Sequence, residues 1–327
     1  MTALDFQLGV ADETTYGTAV TPVRFFDTYT NPDGIKTKWG RVESQGIRPG
    51  QRVALSGRFA GYPMGASGDI KLEPLTKGFG FWLKHMLGTV TTVAGAAGEV
   101  NTHTAVMGAL QGKSFTAQIG LPFNPSGTVQ PFTYPGGKVE SWEISNKVDE
   151  LLAVTLSCDF QSEDVVTALA TASYPSAANI FSWAGGSVTV GGTAFEVSDV
   201  SVSVKNNLNV DRRYLRANPL KKEPIEALRD VEFKATAAFD SLAQRNRVAS
   251  ATAAGALASV VLNWTGPVVE GTSTTPSLQV TIPACRFDDF SLKGGPAPLE
   301  QSLTGKGLWD GTTSPVTIVY ASMDAQP

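Results

Sequence analysis

The chain sets out the same layout twice. Residues 41–75 can be laid on residues 202–236 without a gap, so that Arg52 falls on Arg213, Pro63 on Pro224, Ala66 on Ala227 and Asp69 on Asp230. Apolar positions follow, with Ile70 on Val231 and Leu72 on Phe233. A second match joins residues 138–145 to 284–291, and after a turn Leu152, Leu156 and Ser157 fall on Leu299, Leu303 and Thr304. Each copy reads as strand, long loop, strand. Repetition at so long a period indicates one structural unit used twice; the competing reading is chance likeness between β-segments.

With 327 residues the chain can form two domains of ordinary size, each with its own core. Charged residues make only 17% of it, while 33 glycines and 19 prolines supply turns. That balance predicts β-structure with much of its surface covered by partners. A net charge of −4 argues against sequence-specific nucleic-acid binding, which needs a basic patch. Cys158 and Cys285 are too few for a disulfide framework and fit production in a reducing cytoplasm. The first 22 residues lack the pattern of a signal peptide, and no apolar run approaches the length of a membrane span, so no membrane binding is expected.

Residues 1–35 read as an arm with short extended pieces, 36–171 as a first domain, 172–180 as a linker and 181–327 as a second domain. Strands are predicted over 36–45, 69–73, 114–121, 138–146 and 151–161, then over 187–190, 195–206, 230–237, 259–264, 277–282, 286–292, 299–305 and 316–322. Helical spacing predicts a short amphipathic helix over 75–87. A Ser cap with acids in the first turn predicts another over 162–171, and a third is expected over 241–252. Two long loops, 46–68 and 207–229, occupy the same place in each half. The first holds six glycines, two prolines and three arginines within 23 residues, too long for an ordinary hairpin connection.

No catalytic pattern stands out. The two histidines, His85 and His103, form no metal spacing with the cysteines, and no phosphate-binding glycine loop occurs. Asp288 and Asp289 are adjacent in a strand and point to opposite faces, so they cannot act as a facing pair. Neither a cofactor nor a metal is expected, and the chain does not read as an enzyme.

Residues 9–22 (GVADETTYGTAVTP) and 145–160 (SNKVDELLAVTLSCDF), set in this order of elements, resemble the tail tube proteins of long-tailed bacteriophages. The resemblance implies a mainly β chain of two tandem tail-tube-like β-sandwich or half-barrel domains, each with a flanking short α-helix and a long inter-strand loop. It further implies six domains per ring, rings stacked into a tube, and one sheet of each domain lining the bore. A duplicated chain would complete the ring as a homotrimer, a pseudo-hexamer; without duplication a homohexamer is the fallback. Self-association, other tail proteins and transient passage of double-stranded DNA are the implied partners. The implied location is the virion tail, assembled in the host cytoplasm.

Geometry agrees with such a conduit. Six domains giving about four strands each, spaced about 4.8 Å and tilted roughly 40°, close a barrel about 48 Å across, with a bore of roughly 38 Å. A duplex roughly 20 Å wide passes freely, whereas half as many strands leave a bore on the order of 14 Å. A lining with a large excess of cations would retard DNA. The candidate lining residues are Asp69, Lys71 and Glu73 in one half and Asp230, Glu232 and Lys234 in the other, each set summing to −1. The loops combine cations with apolar groups, a mixture suited to contact with a neighbouring ring. In the first these are Arg48, Arg52, Arg58, Phe59 and Tyr62; in the second, Arg212, Arg213, Tyr214, Arg216, Lys221 and Lys222. The alternative reading is a two-domain β-sandwich adhesin or carbohydrate-binding module, with Trp142, Trp183, Trp264 and Trp309 as stacking platforms.

Overall fold

The computed structural model describes residues 6–27, 34–122, 128–250, 257–270, 272–294 and 299–327. It is mainly β. The first half contains β1 (Gln7–Glu13), β2 (Arg24–Phe26), β3 (Ile35–Glu43), β4 (Phe59–Leu72), α1 (Gly80–Leu87), β5 (Gly88–Val93), β6 (Asn101–Met107), β7 (Ser114–Pro122), β8 (Val129–Lys147) and β9 (Ala153–Phe160). The second contains β10 (Gly186–Val190), β11 (Thr193–Ala194), β12 (Val197–Lys205), β13 (Leu208–Asn209), β14 (Ile225–Glu226), β15 (Asp230–Ala238), α2 (Ala243–Ser250), β16 (Ala258–Thr265), β17 (Ser277–Lys293), β18 (Glu300–Gly307) and β19 (Thr317–Ser322).

Eight strands lie side by side in the order β3-β4-β9-β8-β12-β15-β18-β17, all antiparallel. The first four come from the first half and the last four from the second. Within each four the chain order is the same: first, second, last, third. Two long strands build both layers of the fold. The start of β8 pairs with β7, which carries β1, while its end pairs with β9 and β12. Likewise the start of β17 pairs with β16 and β19, while its end pairs with β18. A register shift marks the change of partners in each, between Val139 and Ser141 in one and between Phe287 and Asp289 in the other. Such bulges bend a strand and increase its twist. The halves also interlock, since β19 near the end of the chain pairs with β6 of the first half.

Alternation drives these strands onto their core. In β12 the valines Val200, Val202 and Val204 are buried while the serines between them are half-exposed, and β15 does the same with Val231, Phe233, Ala235 and Ala237. Trp142, Leu156, Ile70, Val202 and Phe233 line the buried face of the eight-stranded sheet, all at 1% exposure or less. Trp82 of α1 packs edge-on against Phe115, and Phe115 edge-on against Phe160.

Several expectations are corrected. Only Gly80–Leu87 of the stretch 75–87 is helical, and it is buried nearly all round rather than amphipathic. Gly78 turns the chain at φ +85°, and a side chain at Gly80 would strike Pro327. Residues 162–171 form no helix. The Asp164 carboxylate instead accepts from the backbone N–H of Val166 and Thr167, and its main chain bridges to Thr133. Here pairing with another element wins over a local capping signal. The third helix spans Ala243–Ser250, and the last two residues of its predicted span lie outside the described residues. Residues 59–68, read as loop, are strand. Gly65 at φ +93° forms a bulge opposite Lys38 and Trp39, and at Gly68 any Cβ would sit 1.8 Å from the Gly34 carbonyl oxygen. Within the stretch read as an arm, β1 pairs along its whole length with β7.

Asp12 fastens β1 to α1. Its carboxylate accepts from Lys84 Nζ at 2.7 Å and from His85 Nε2 at 2.9 Å. Burial alone would raise this carboxyl, but the bonds to His85 and Lys84 outweigh it and hold it at about 2. Burial also lowers the His85 pKa, and its Nδ1 has no partner, so the neutral ring carries its proton on Nε2. A carboxyl depressed by folding stabilises above its unfolded pKa and loses that contribution as pH falls through the folded one. The stability gap between the protein and its Asp12→Asn variant should therefore shrink between about pH 4 and about pH 2. Chemical denaturation across that range tests this, and a gap independent of pH would disprove it. Separately, Trp142→Ala should cost about 3–5 kcal/mol, read as a lower Tm of one shared transition because the sheet runs through both halves. A separate, unshifted transition for the second half would contradict this.

Candidate functional site

The solvent side of the eight-stranded sheet is one continuous polar face. Directly opposed residues run across it in rows. One row is Asp69, Ser157, Ser141, Lys205, Asp230. The next is Lys71, Thr155, Glu143, Ser203, Glu232, Lys306. The third is Ala153, Ser145, Ser201, Lys234, Thr304, Asp289. The structure thus brings Asp69 and Lys71 together with Asp230, Glu232 and Lys234 on one face, and Glu73 follows just beyond the end of β4. The serines and threonines between them were missed in the sequence; their alternation with valine in Val197–Lys205 was the available signal.

Several of the charges on this face are held by close neighbours. Ser157 Oγ donates to Asp69 Oδ1 at 2.7 Å, Lys234 meets Glu232 at 2.9 Å and Lys306 meets Asp230 at 2.5 Å. Across the three rows acids exceed bases by one. Such a surface offers hydroxyls, local ion pairs and no large excess of cations.

Among the described residues the sheet ends in two strands paired on one side only. These are β3, which pairs with β4, and residues 286–293 of β17, which pair with β18. The hairpin that continues from β3 carries exposed apolar groups: Trp39 (71% exposed), Val42, Ile47, Val53 and Phe59. Arg41 lies over the Phe59 ring at 5.6 Å, Tyr62 covers Gly40, and Arg48, Arg52 and Arg58 stand in solvent.

The second loop behaves differently. It folds over the middle of β8 and β4 and the end of β9, so part of it is committed within the chain. Lys221 is buried and reaches both oxygens of Asp159 at 2.6 Å. Burial pushes the Asp159 carboxyl up to about 6 and the Lys221 amine down, each held back by its partner. Glu223 meets buried Lys138 at 2.5 Å, Arg212 donates to the Glu223 carbonyl, and Arg213 donates to the Met64 carbonyl at 2.7 Å. Tyr214, Arg216 and Lys222 remain exposed, with Lys222 over the Tyr214 ring. Counted from the bulges of β8 and β17, the ladders set Asp69 at the position of Lys234, whereas the gapless alignment sets it on Asp230.

The residues of the alternative readings scatter. Trp142 and Trp264 are core, with Trp264 Nε1 donating to Asn146; Trp183 and Trp309 are exposed. His103 is buried against Tyr320 and bonds to Thr92 and the Asp324 carbonyl. Among the described residues no three His, Cys, Asp or Glu side chains group as metal ligands. Among the described residues no helix is long and apolar enough to cross a membrane.

Lys221→Met strands a buried carboxylate and should cost about 3–5 kcal/mol, whereas the Lys221→Met, Asp159→Leu pair should recover much of it. Urea denaturation of the three proteins decides; a pair no better than the single change would refute the ion pair as the loop's anchor.

The model of the phage tail tube protein family matches residues 4–307. No curated protein sequence matches the chain. A family match over nearly the whole length joins a mainly β fold whose sheet presents one polar face and ends in two open strands, and the chain belongs to the phage tail tube protein family, whose role is structural: a component of the virion tail that assembles with itself and with other tail proteins.

Proposed function

We propose that the chain carries two tandem copies of the tube domain and that three chains close one ring of a hollow conduit for the phage genome. The observation that carries this is the strand order. Both halves lay their four strands in the sequence first, second, last, third, and β8 of one joins β12 of the other edge to edge. The open edges at the two ends, β3 and β17, are the counterparts of the strands joined in the middle. An unpaired edge strand is a template for another chain, and closure into a barrel removes it. Eight strands per chain give about 24 for three chains, the number whose bore admits a duplex.

In this reading the polar face lines the bore. Asp69, Lys71, Glu73, Asp230, Glu232 and Lys234 look inward, and the near balance of charge lets DNA pass without being gripped. The exposed loop tips, with Arg48, Arg52 and Arg58 in one and Tyr214, Arg216 and Lys222 in the other, contact the next ring and hold the stack. Rings assemble in the host cytoplasm and act in the finished tail.

Native mass measurement and negative-stain microscopy of the concentrated protein should give three-chain rings or tubes. A monomer at every concentration would sink the proposal, and six chains per layer would sink its duplication arithmetic. Changing Asp69, Glu73, Asp230 and Glu232 together to Lys should leave tubes intact but slow genome release from phage carrying them, because phosphate contacts then recur at every ring. Unchanged release kinetics would remove these residues from the lining. Deleting residues 46–57 should leave single rings that no longer stack, and normal tubes from that variant would show the first loop tip to be dispensable.

A further inference from the structure

Resting on that ring reading, we infer that the joint between copies repeats, residue for residue, the joint inside the chain. In it β3 of one copy pairs antiparallel with the open end of β17 in the next, with Lys38 opposite Asp289, Thr37 opposite Phe290 and Ile35 opposite Leu292.

The ladders give the register. Superposing the two bulges puts Ser141 on Asp289, Trp142 on Phe290 and Ile144 on Leu292. From there the pairings lead across each half. Trp142 faces Leu156, which faces Ile70; Phe290 faces Leu303, which faces Ala235. One strand further, Lys38 faces Gly65 and Thr37 faces Ala66, as Lys205 faces Asp230 and Val204 faces Val231. Lys38, Thr37 and Ile35 are therefore the counterparts of Lys205, Val204 and Val202. Inside the chain those three lie opposite Ser141, Trp142 and Ile144. Replacing each by its counterpart yields the register stated.

Burial points the same way. Trp142 and Ile144, beneath the internal joint, are 1% and 0% exposed, whereas Leu292 is 49% exposed and Phe290 half-buried. The Phe239 ring meets Phe290 at 6.2 Å, but among the described residues no strand covers this edge as β12 covers its counterpart. Adding a strand at this edge buries Leu292 and supplies partners for the open backbone groups of both strands.

Charge explains why unlike edges meet. In β3 Arg41 is paired with Glu43 at 2.7 Å, which leaves Lys36 and Lys38 as its cations; at the open edge of β17 Arg286 holds Asp288, which leaves Asp289 as the acid facing outward near the bulge. Pairing β3 with β3 brings Lys36 and Lys38 of two copies together, whereas β3 with β17 sets Lys38 against Asp289. Unlike edges make a head-to-tail interface, which closes into a ring when the rotation permits and otherwise extends without limit. The Lys38–Asp289 contact thus favours the unlike joint over a two-fold one.

Directly opposed residues of an antiparallel pair lie about 4.5–5.5 Å apart at Cα, within reach of a disulfide; a displacement by two residues exceeds that reach. The full-length protein with Lys38→Cys and Asp289→Cys, oxidised after assembly, should give covalent dimers and trimers and nothing larger on non-reducing gels. Lys36→Cys with Ser291→Cys should do the same, and Lys38→Cys with Ser291→Cys should stay largely unlinked. Cys158 and Cys285 are buried and their thiols are pushed up by burial, so they give no background. Assembled rings in which the displaced pair links, or neither opposed pair links, would overturn the register while leaving the ring reading in place. An unaltered protein that never assembles would overturn both. Charge reversal gives a second measure: Lys38→Asp should raise the concentration needed for assembly several-fold, and Asp289→Lys in the same chain should bring it back. Additive losses in the double variant would remove the Lys38–Asp289 pairing.

Discussion

Every strand must satisfy its backbone donors and acceptors, and the placement of unsatisfied edges organises this molecule. The pairing of β8 with β12 converts two four-stranded units into one sheet with a single buried side and a single polar side. Everything above follows from that joint: the burial of Trp142 and Ile144 beneath it, the unbroken rows of hydroxyls and paired charges across it, and the open strands pushed to the two ends. Were the two units linked only by a flexible connector, their polar faces would have no fixed relation and no common surface would exist.

The long strands β8 and β17 make this possible by serving both layers. A bulge in each lets the chain leave one set of partners and join another without breaking the strand, so the outer layer is covalently continuous with the polar sheet. The second long loop adds a polar clamp on the same region, since Lys221 and Glu223 are held by Asp159 and Lys138. A buried ion pair adds little net stability over an apolar substitute but is costly to leave half-made. Its effect here is to fix where the loop lies across the first half.

The sequence was legible where one face of a strand meets water. Alternation located β12 and β15 within a residue or two and set Asp69 and Lys71 apart from Ile70 and Leu72. It was not legible where both faces are covered: β1 is buried at most of its positions and offers no period. Glycines concealed the first part of β4, because residues chosen for close backbone approach weaken a strand's signature. The acids and Ser cap of residues 162–171 were a real local signal that a bridge to Thr133 overrode. The polar face was half visible: its charged members could be proposed from alternation, but only the registers show which serines and threonines lie between them. The two loops looked alike in composition, and no local pattern separates one that folds back on its own chain from one that stands in solvent.

The pairing of β6 with β19 has a consequence for the order of events during synthesis. The hairpin β5–β6 emerges early, yet the strand that covers β6 is contributed by residues 317–322, which also cover the outer edge of β17. Asp324, just beyond, takes the Gly78 N–H before α1 and offers its carbonyl to Asn101 and His103. A ribosome therefore exposes a first half whose outer layer stays unfinished until residues 317–324 have been made. A chain lacking residues 317–324 would leave β6 and the outer edge of β17 bare and α1 without its Asp324 contact, the kind of unpaired edge that chaperones and proteases act on.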